Sequence, residues 1–116
     1  MLVDDHPLMR EGMSRMLNSH SDIEVVGEAS DGEEAVHLAR EILPDVILMD
    51  ISMPNMNGLE ATRIIHMEFP DIRIIGLSMY DEGEQGEAML NAGASAYQSK
   101  SGSTDRLLAA IRGEDQ

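Results

Sequence analysis

Side chains that can do chemistry follow short apolar segments at four points of the chain. Asp4 and Asp5 come after the first segment, Asp50 ends the second, Ser78 ends the third and Lys100, the only lysine, follows the fourth. If each segment is a strand of one parallel sheet, these groups meet at one edge, where open α/β sheets bind their ligands. The sequence therefore predicts a polar site made of three carboxylates, one hydroxyl and one ammonium.

This set of groups suits phosphoryl transfer to a carboxylate. Crowded carboxylates repel one another, and Mg²⁺ relieves that repulsion with one or two carboxylates, several waters and a phosphate oxygen. The remaining carboxylate is then a nucleophile, while a metal, an ammonium and a hydroxyl stabilise the transferred charge. We expect Asp50 to be the acceptor, Asp5 with Asp4 to form the metal side, and Ser78 and Lys100 to bind the phosphoryl group.

Strand and helix patterns alternate along the chain and position these groups. The run Val46–Met49 is continuously apolar, which is typical of a strand buried on both faces of a parallel sheet. The predicted strands are 1–3, 23–29, 46–50, 72–78 and 94–99, and the predicted helices are 7–18, 33–43, 58–69, 81–92 and 103–112, with Ser103 as an N-cap. This alternation predicts an α/β fold, a flavodoxin-like doubly wound (βα)5 sheet with strand order 2-1-3-4-5.

Composition narrows the class of protein. A chain of 116 residues suits a single domain over 1–116. The absence of cysteine excludes disulfides and thiolate sites, and a net charge of −14 argues against direct binding to nucleic acid or anionic membranes. No apolar run approaches the ~20 residues of a membrane span, so we expect a cytoplasmic domain. The first strand is short, and we expect the native protein to begin a few residues earlier.

Four motifs resemble the receiver domain of two-component response regulators, over essentially the whole chain. They are VDDHP, VILMDISMPNMNG, LS at the end of the fourth strand, and GASAYQSK. The DDHP opening and the AAIRG ending are most similar to the NarL/FixJ (LuxR-type) subfamily. Two departures are Gln98, where an aliphatic residue is usual, and Ser101, where many receivers have proline. Because a cis bond without proline costs ~3 kcal/mol, we do not assume one between Lys100 and Ser101.

The resemblance implies a metal-dependent phosphoacceptor. Asp50 would receive the phosphoryl group from a sensor histidine kinase and would also contact Mg²⁺ (or Mn²⁺). Asp5 would be the direct carboxylate ligand, with Asp4 helping through water, and the backbone carbonyl of Ser52 would be a further ligand. Catalysis would be confined to the domain's own phosphorylation and dephosphorylation, so an enzyme in the usual sense is not expected.

The resemblance also implies a switch. Ser78 would be the switch hydroxyl, Tyr97 the switch aromatic and Lys100 the invariant-type lysine. Phosphorylation would draw the hydroxyl inward, the aromatic would follow, and the surface around the fourth helix, fifth strand and fifth helix would change. Homodimerisation is a possible consequence, and DNA would be contacted only through a C-terminal helix-turn-helix domain that is absent from this chain. The implied function is regulation of transcription.

Three other kinds of protein are alternatives to a phosphorylated receiver domain. A pseudo-receiver would use the fold as a phosphorylation-independent interaction module. A haloacid dehalogenase-type hydrolase needs a second acid two residues after the nucleophile, where this chain has Ser52, and it needs room for a cap domain. A nucleotide-binding module needs a glycine-rich first turn, where this chain reads DDHP.

His6 is interpreted as a helix-entry residue, because Mg²⁺ prefers oxygen ligands. Tyr80 either shields the phosphoryl group or is an exposed loop aromatic.

Overall fold

The computed structural model describes residues 1–51, 57–78, 83–99 and 103–113. Strands and helices alternate throughout these residues. The strands are β1 (Leu2–Val3), β2 (Glu28–Ala29), β3 (Val46–Asp50), β4 (Arg73–Ser78) and β5 (Ala96–Ser99). The helices are α1 (Pro7–Asn18), α2 (Gly32–Ile42), α3 (Gly58–Glu68), α4 (Gly83–Ala92) and α5 (Thr104–Arg112). Among the described residues, no helix combines the length and the apolar character that crossing a membrane requires.

One parallel sheet runs through the molecule in the order β2-β1-β3-β4-β5, which confirms the predicted topology. Val3 pairs with Met49 across β1 and β3. Asp50 pairs with Leu77 across β3 and β4. Since all five strands run in the same direction, their carboxyl ends form a single edge of the sheet.

Helices α2, α3 and α5 begin where short polar residues accept backbone hydrogen bonds. The side chain of Asp31 accepts from the Glu34 N–H at 2.8 Å at the start of α2, and Asn57 and Ser103 cap α3 and α5 in the same way. Such caps satisfy N–H groups that have no partner within the helix. Helix α1 begins differently, with Pro7 in its first turn after His6.

Two apolar clusters cover the two faces of the sheet. Ile47 and Met49 of β3 belong to one cluster and Leu48 belongs to the other, as the alternation of side chains along a strand requires. The first cluster joins β3 to α2, α3 and α4 through Ala35, Val36, Ala39, Ala61, Ile65 and Met89. The second joins it to α1 and α5 through Leu17, Leu107, Leu108 and Ala110. The interpretation of Val46–Met49 as a strand covered on both faces is therefore confirmed.

Two strand predictions were wrong in extent. A strand was expected over 23–29, but only Glu28–Ala29 forms a strand, paired with Leu2–Val3 of β1. The last strand begins at Ala96 rather than Ala94, since the Ala94 N–H donates to the Met89 carbonyl and closes the end of α4. Gly93 makes this turn with φ +120°, a conformation that only glycine adopts readily. Residues 81–82 of the predicted fourth helix lie outside the described residues.

Candidate functional site

Three carboxylates converge at the carboxyl edge of the sheet. Asp4 and Asp5 follow β1, and Asp50 is the last residue of the adjacent β3. Asp4 and Asp50 are only 1% and 3% exposed. One oxygen from each of the three, together with a ring nitrogen of His6, lies within 4.8 Å of the others. The predicted meeting of these carboxylates is therefore found in the structure.

Asp4 is held by hydrogen bonds from its own neighbours. The backbone N–H of His6 donates to Asp4 Oδ1 at 2.9 Å, and His6 Nδ1 lies 3.2 Å from the same oxygen. Behind them, Arg10 Nη1 donates to the Asp4 carbonyl at 2.6 Å, while Arg10 Nε donates to Glu28 Oε1 at 3.1 Å. These bonds fix the turn between β1 and α1. They occupy Oδ1 of Asp4, whereas Oδ1 of Asp5 accepts no hydrogen bond from the described residues.

Arg10 was missed by the sequence reasoning. An arginine in the second turn of a helix carries no pattern that distinguishes it from an ordinary solvated residue. In the structure its guanidinium reaches back from α1 to the carbonyl of Asp4 and the carboxylate of Glu28, which join β1 to β2. It therefore ties the turn that carries the carboxylates to the neighbouring strand.

One carboxylate oxygen of the cluster accepts no hydrogen bond from the described residues. Asp5 Oδ1 is buried and accepts no hydrogen bond among the described residues. His6 Nδ1 lies 3.1 Å from it, but that nitrogen also lies at hydrogen-bonding distance from Asp4 Oδ1. A buried carboxylate oxygen without a partner is costly, and a hard divalent cation that prefers oxygen ligands would satisfy it. The donor set of Asp5 and Asp50 therefore fits Mg²⁺ or Mn²⁺.

His6 itself stays at the entry to α1. It occupies the N-cap position, it makes no side-chain cap hydrogen bond, and its side chain is 63% exposed. This agrees with its interpretation as a helix-entry residue. Its ring nonetheless lies beside Asp4 and Asp5, so it forms part of the rim of the site.

The hydroxyl and the aromatic lie on the next two strands. Ser78 is the last residue of β4, is 4% exposed, and pairs with Ser99 of β5. Tyr97 lies on β5 opposite Gly76, half-buried against the cluster that contains Met49 and Met89. The structure thus brings Ser78 to the edge that holds Asp50, with Tyr97 one strand further along.

Three predicted residues are not among those described. Lys100, the backbone carbonyl of Ser52 and the loop aromatic Tyr80 lie outside the described ranges, as does the bond between Lys100 and Ser101. Their roles stay predictions.

Gly58 is a second residue whose part in the site was not foreseen. It is the first residue of α3, and a Cβ placed on it would lie 2.0 Å from the Asp50 carbonyl oxygen and 2.8 Å from Ile51 Cα. The start of α3 therefore packs directly on the peptide that carries Asp50. From the sequence, the Asn57-Gly58 pair indicates only a break between two elements.

Cavity volume does not locate this site. A cavity of about 460 Å³ lies at the opposite edge of the sheet, where Leu17, Val25, Asp45 and Ile111 are among its lining residues. That edge holds the amino ends of the strands, away from the carboxylates. The candidate site is instead located by its charge, its burial and its strand-end positions.

Comparison with known proteins identifies the family to which the chain is similar. The response regulator receiver domain family matches residues 1–112. The chain is similar to the response regulator UvrY of Escherichia coli, with 46% identity over 112 residues, covering 97% of this chain and 51% of UvrY. It is also similar to the transcriptional regulatory protein DegU of Brevibacillus brevis, with 43% identity over 111 residues, covering 96% of this chain and 47% of DegU. The chain spans about half the length of these curated relatives.

Solved structures resemble the fold closely. A LuxR-family two-component response regulator from Aurantimonas sp. SI85-9A1 superposes with a TM-score of 0.92 at 40% identity, over 97% of this chain and 81% of that one. The signal receiver domain of the putative response regulator NarL from Mycobacterium tuberculosis gives a TM-score of 0.90 at 34% identity, over 97% and 90% of the two chains.

Proposed function

The chain belongs to the response regulator receiver domain family and is related to transcription regulators of the NarL/LuxR type, and on this premise we propose that Asp50 accepts a phosphoryl group in a Mg²⁺-dependent reaction. The observation that carries the proposal is the convergence of Asp4, Asp5 and Asp50 around a buried carboxylate oxygen that accepts no hydrogen bond from the described residues and has His6 Nδ1 3.1 Å away. Three such carboxylates at one strand edge call for a cation, and Asp50 ends the central strand.

In the proposed reaction the donor is a phosphohistidine of a sensor histidine kinase. A carboxylate oxygen of Asp50 attacks phosphorus, an oxygen–phosphorus bond forms, and the bond from phosphorus to the imidazole nitrogen breaks. The imidazole leaves with the electron pair of that bond. Bound Mg²⁺ would supply charge neutralisation for the phosphoryl oxygens. The chain's own contribution is to hold Asp50 at the end of a buried strand and to present Asp5, with Asp4 behind it, as the metal side.

The consequence of phosphorylation is proposed to be a switch. The new group adds negative charge and strong acceptor oxygens at Asp50, to which the Ser78 hydroxyl would donate and which Lys100 would neutralise. Tyr97 would follow Ser78, and the surface of α4, β5 and α5 would change. The support is positional, since Ser78 and Tyr97 lie on the two strands that follow β3 across the sheet.

The output of the switch is proposed to act outside the chain described. The curated relatives are about twice as long as the matched region, and several are named transcriptional or response regulators. We therefore propose that the switched surface controls a DNA-binding domain in the full protein, with a homodimer as one possible active form and the cytoplasm as its location.

The test is phosphorylation by a small-molecule donor. The domain is incubated with Mg²⁺ and acetyl phosphate or phosphoramidate, and intact mass is measured for wild type, Asp50→Asn and Asp45→Asn. Asp45 is exposed and lies just before the amino end of β3, so its variant is a control with the same chemical change away from the site. We expect an adduct on wild type and on Asp45→Asn that disappears with EDTA, and none on Asp50→Asn. If wild type gives no adduct and binds no beryllofluoride, the pseudo-receiver replaces this proposal.

A further inference from the structure

The ring of Tyr97 lies against the backbone of two glycines. A Cβ placed on Gly86 of α4 would be 2.9 Å from Tyr97 Cδ2 and 3.2 Å from Tyr97 Cε2 and Cγ. A Cβ placed on Gly76 of β4, the register partner of Tyr97, would be 3.3 Å from Tyr97 Cδ1. The ring therefore lies between the backbones of α4 and β4, with no side chain from either glycine between them.

The two contacts differ in how easily they could be relieved. At Gly76 the nearest atom is Met89 Cε, at 2.9 Å, which is the flexible end of a long side chain. At Gly86 the three nearest atoms all belong to the rigid aromatic ring. An aromatic ring can leave such a contact only by rotating about its two side-chain torsions. A side chain at position 86 would therefore displace the ring as a whole.

Gly86 has no local advantage that would explain it. Glycine in the interior of a helix is less favourable than alanine because it loses more backbone freedom on folding. Gly86 is buried within α4 and does not lie in the left-handed region of φ. What it does provide is room for the Tyr97 ring on the inner side of α4.

We propose that Gly86 is the positioning residue of Tyr97. Because Gly86 has no side chain, the ring packs against α4 at a contact that we call the seat, with β4 on its other side. This seat sets how far the ring can follow Ser78 towards Asp50. The seat stands on the contacts of the resting protein alone. The coupling to Ser78 and Asp50 rests in addition on the proposed function.

Tyrosine fluorescence measures the seat directly. The chain has two tyrosines and no tryptophan, so Tyr97 is the only emitter in a Tyr80→Phe background. In that background we compare acrylamide quenching for Gly86→Ala and for Gly12→Ala, a helical glycine of α1 with nothing within 4 Å of an added Cβ. We expect a larger quenching constant for Gly86→Ala, because the ring is displaced outward, and an unchanged one for Gly12→Ala. Equal quenching in Gly86→Ala and its parent would overturn the proposal.

A double-mutant cycle separates the ring contact from the helix. If Gly86→Ala acts through the ring, it lowers the urea midpoint of unfolding when Tyr97 is present. In a Tyr97→Ala background the same change should instead raise the midpoint, as Gly12→Ala does. The same loss of stability with and without the ring would contradict the seat.

The coupling is measured with beryllofluoride and Mg²⁺ as the probe of the phosphorylated state. The Tyr80→Phe parent should show a change in Tyr97 fluorescence on binding, and Gly86→Ala should lose most of that change while still forming the acetyl phosphate adduct. Retention of the full change would refute the coupling. If the parent fails to form an adduct or bind beryllofluoride, the proposed function and the coupling fail together, whereas the seat is decided by quenching in the resting protein.

Discussion

Alanine at Gly58 should damage both the fold and the acceptor site. The first turn of α3 lies so close to β3 that a Cβ on Gly58 would be 2.0 Å from the Asp50 carbonyl oxygen and 2.8 Å from the Asp50 carbonyl carbon. Both are backbone atoms of a strand paired on both sides, so no side-chain rotation relieves the contact. Real contacts of this kind begin at 3.0 Å, so α3 and the end of β3 must separate by about 1 Å.

The size of the effect follows from this displacement. Overpacking a well-packed contact costs about 1–3 kcal/mol of the free energy of unfolding. The control is Gly12→Ala, which meets nothing within 4 Å and lies inside α1; it should stabilise by about 0.5–1 kcal/mol through helix propensity. The two variants should therefore differ by about 1.5–4 kcal/mol, although the chemical change is the same. A 1 Å displacement of a reacting group costs on the order of 10²-fold in rate.

Two measurements test this reasoning. Urea denaturation gives the free energy of unfolding of both variants, and intact mass against time gives the rate of adduct formation with acetyl phosphate. We expect Gly58→Ala to be less stable than wild type and to be phosphorylated far more slowly, while Gly12→Ala matches or exceeds wild type in both respects. The reasoning is refuted if Gly58→Ala is as stable as Gly12→Ala and reacts at the wild-type rate.

Two further predictions concern stability away from the acceptor. Thr62 is 0% exposed and its hydroxyl has no hydrogen-bond partner among the described residues, so Thr62→Val should leave the urea midpoint unchanged or raise it; a clear fall would show that the hydroxyl is bonded. The Arg40 guanidinium lies 2.6 Å from Glu68 Oε2 and holds the pKa of Glu68 below its usual 4.5. The pair therefore stabilises the fold above about pH 4.5, and this stabilisation is lost as the pH falls through the lowered pKa. Glu68→Gln should therefore be less stable than wild type at neutral pH and approach it in acid, and a difference in urea midpoint that does not vary with pH would contradict the assignment.

The parts of the fold that were predicted correctly are those determined by local pattern. The apolar run Val46–Met49 indicates a doubly covered strand because both faces must be apolar, and this alone fixes where Asp50 meets the edge of the sheet. The cap Ser103 was likewise predicted, since a short polar residue before an apolar helical pattern satisfies its first N–H groups, whereas the cap Asp31 was not. Strand order followed from the alternation of elements and the handedness of crossovers.

The parts that could not be predicted depend on partners distant in sequence. The pairing of β2 with β1 joins segments that are distant in sequence, and the residues of β2 alone do not show which of them pair. Gly58 and Gly86 are breakers or poor helix formers in the sequence, and only their neighbours Asp50 and Tyr97 show why a side chain is absent. Arg10 acts by reaching from α1 to the end of β1, a contact that its own helix does not reveal.

The roles of Gly58, Gly86 and Arg10 were missed for one physical reason, and that reason also concerns how the site works. Side chains hold the charge at this edge, but backbone contacts set its geometry: β3 is fixed on both sides by hydrogen bonds, and Gly58 brings the backbone of α3 against its end. Asp50 itself pairs with Leu77 of β4 and lies next to the start of α3. The groups proposed to respond lie on β4 and β5, where Ser78 ends its strand and the Tyr97 ring meets a glycine rather than an interlocking side chain. In the proposed switch, an acceptor held by the backbone would pass its effect across the sheet edge to the Ser78 hydroxyl and the Tyr97 ring, from β3 to β5. The proposed switch thus uses two glycines differently: Gly86 leaves room for the Tyr97 ring, and Gly58 lets α3 lie against the end of β3.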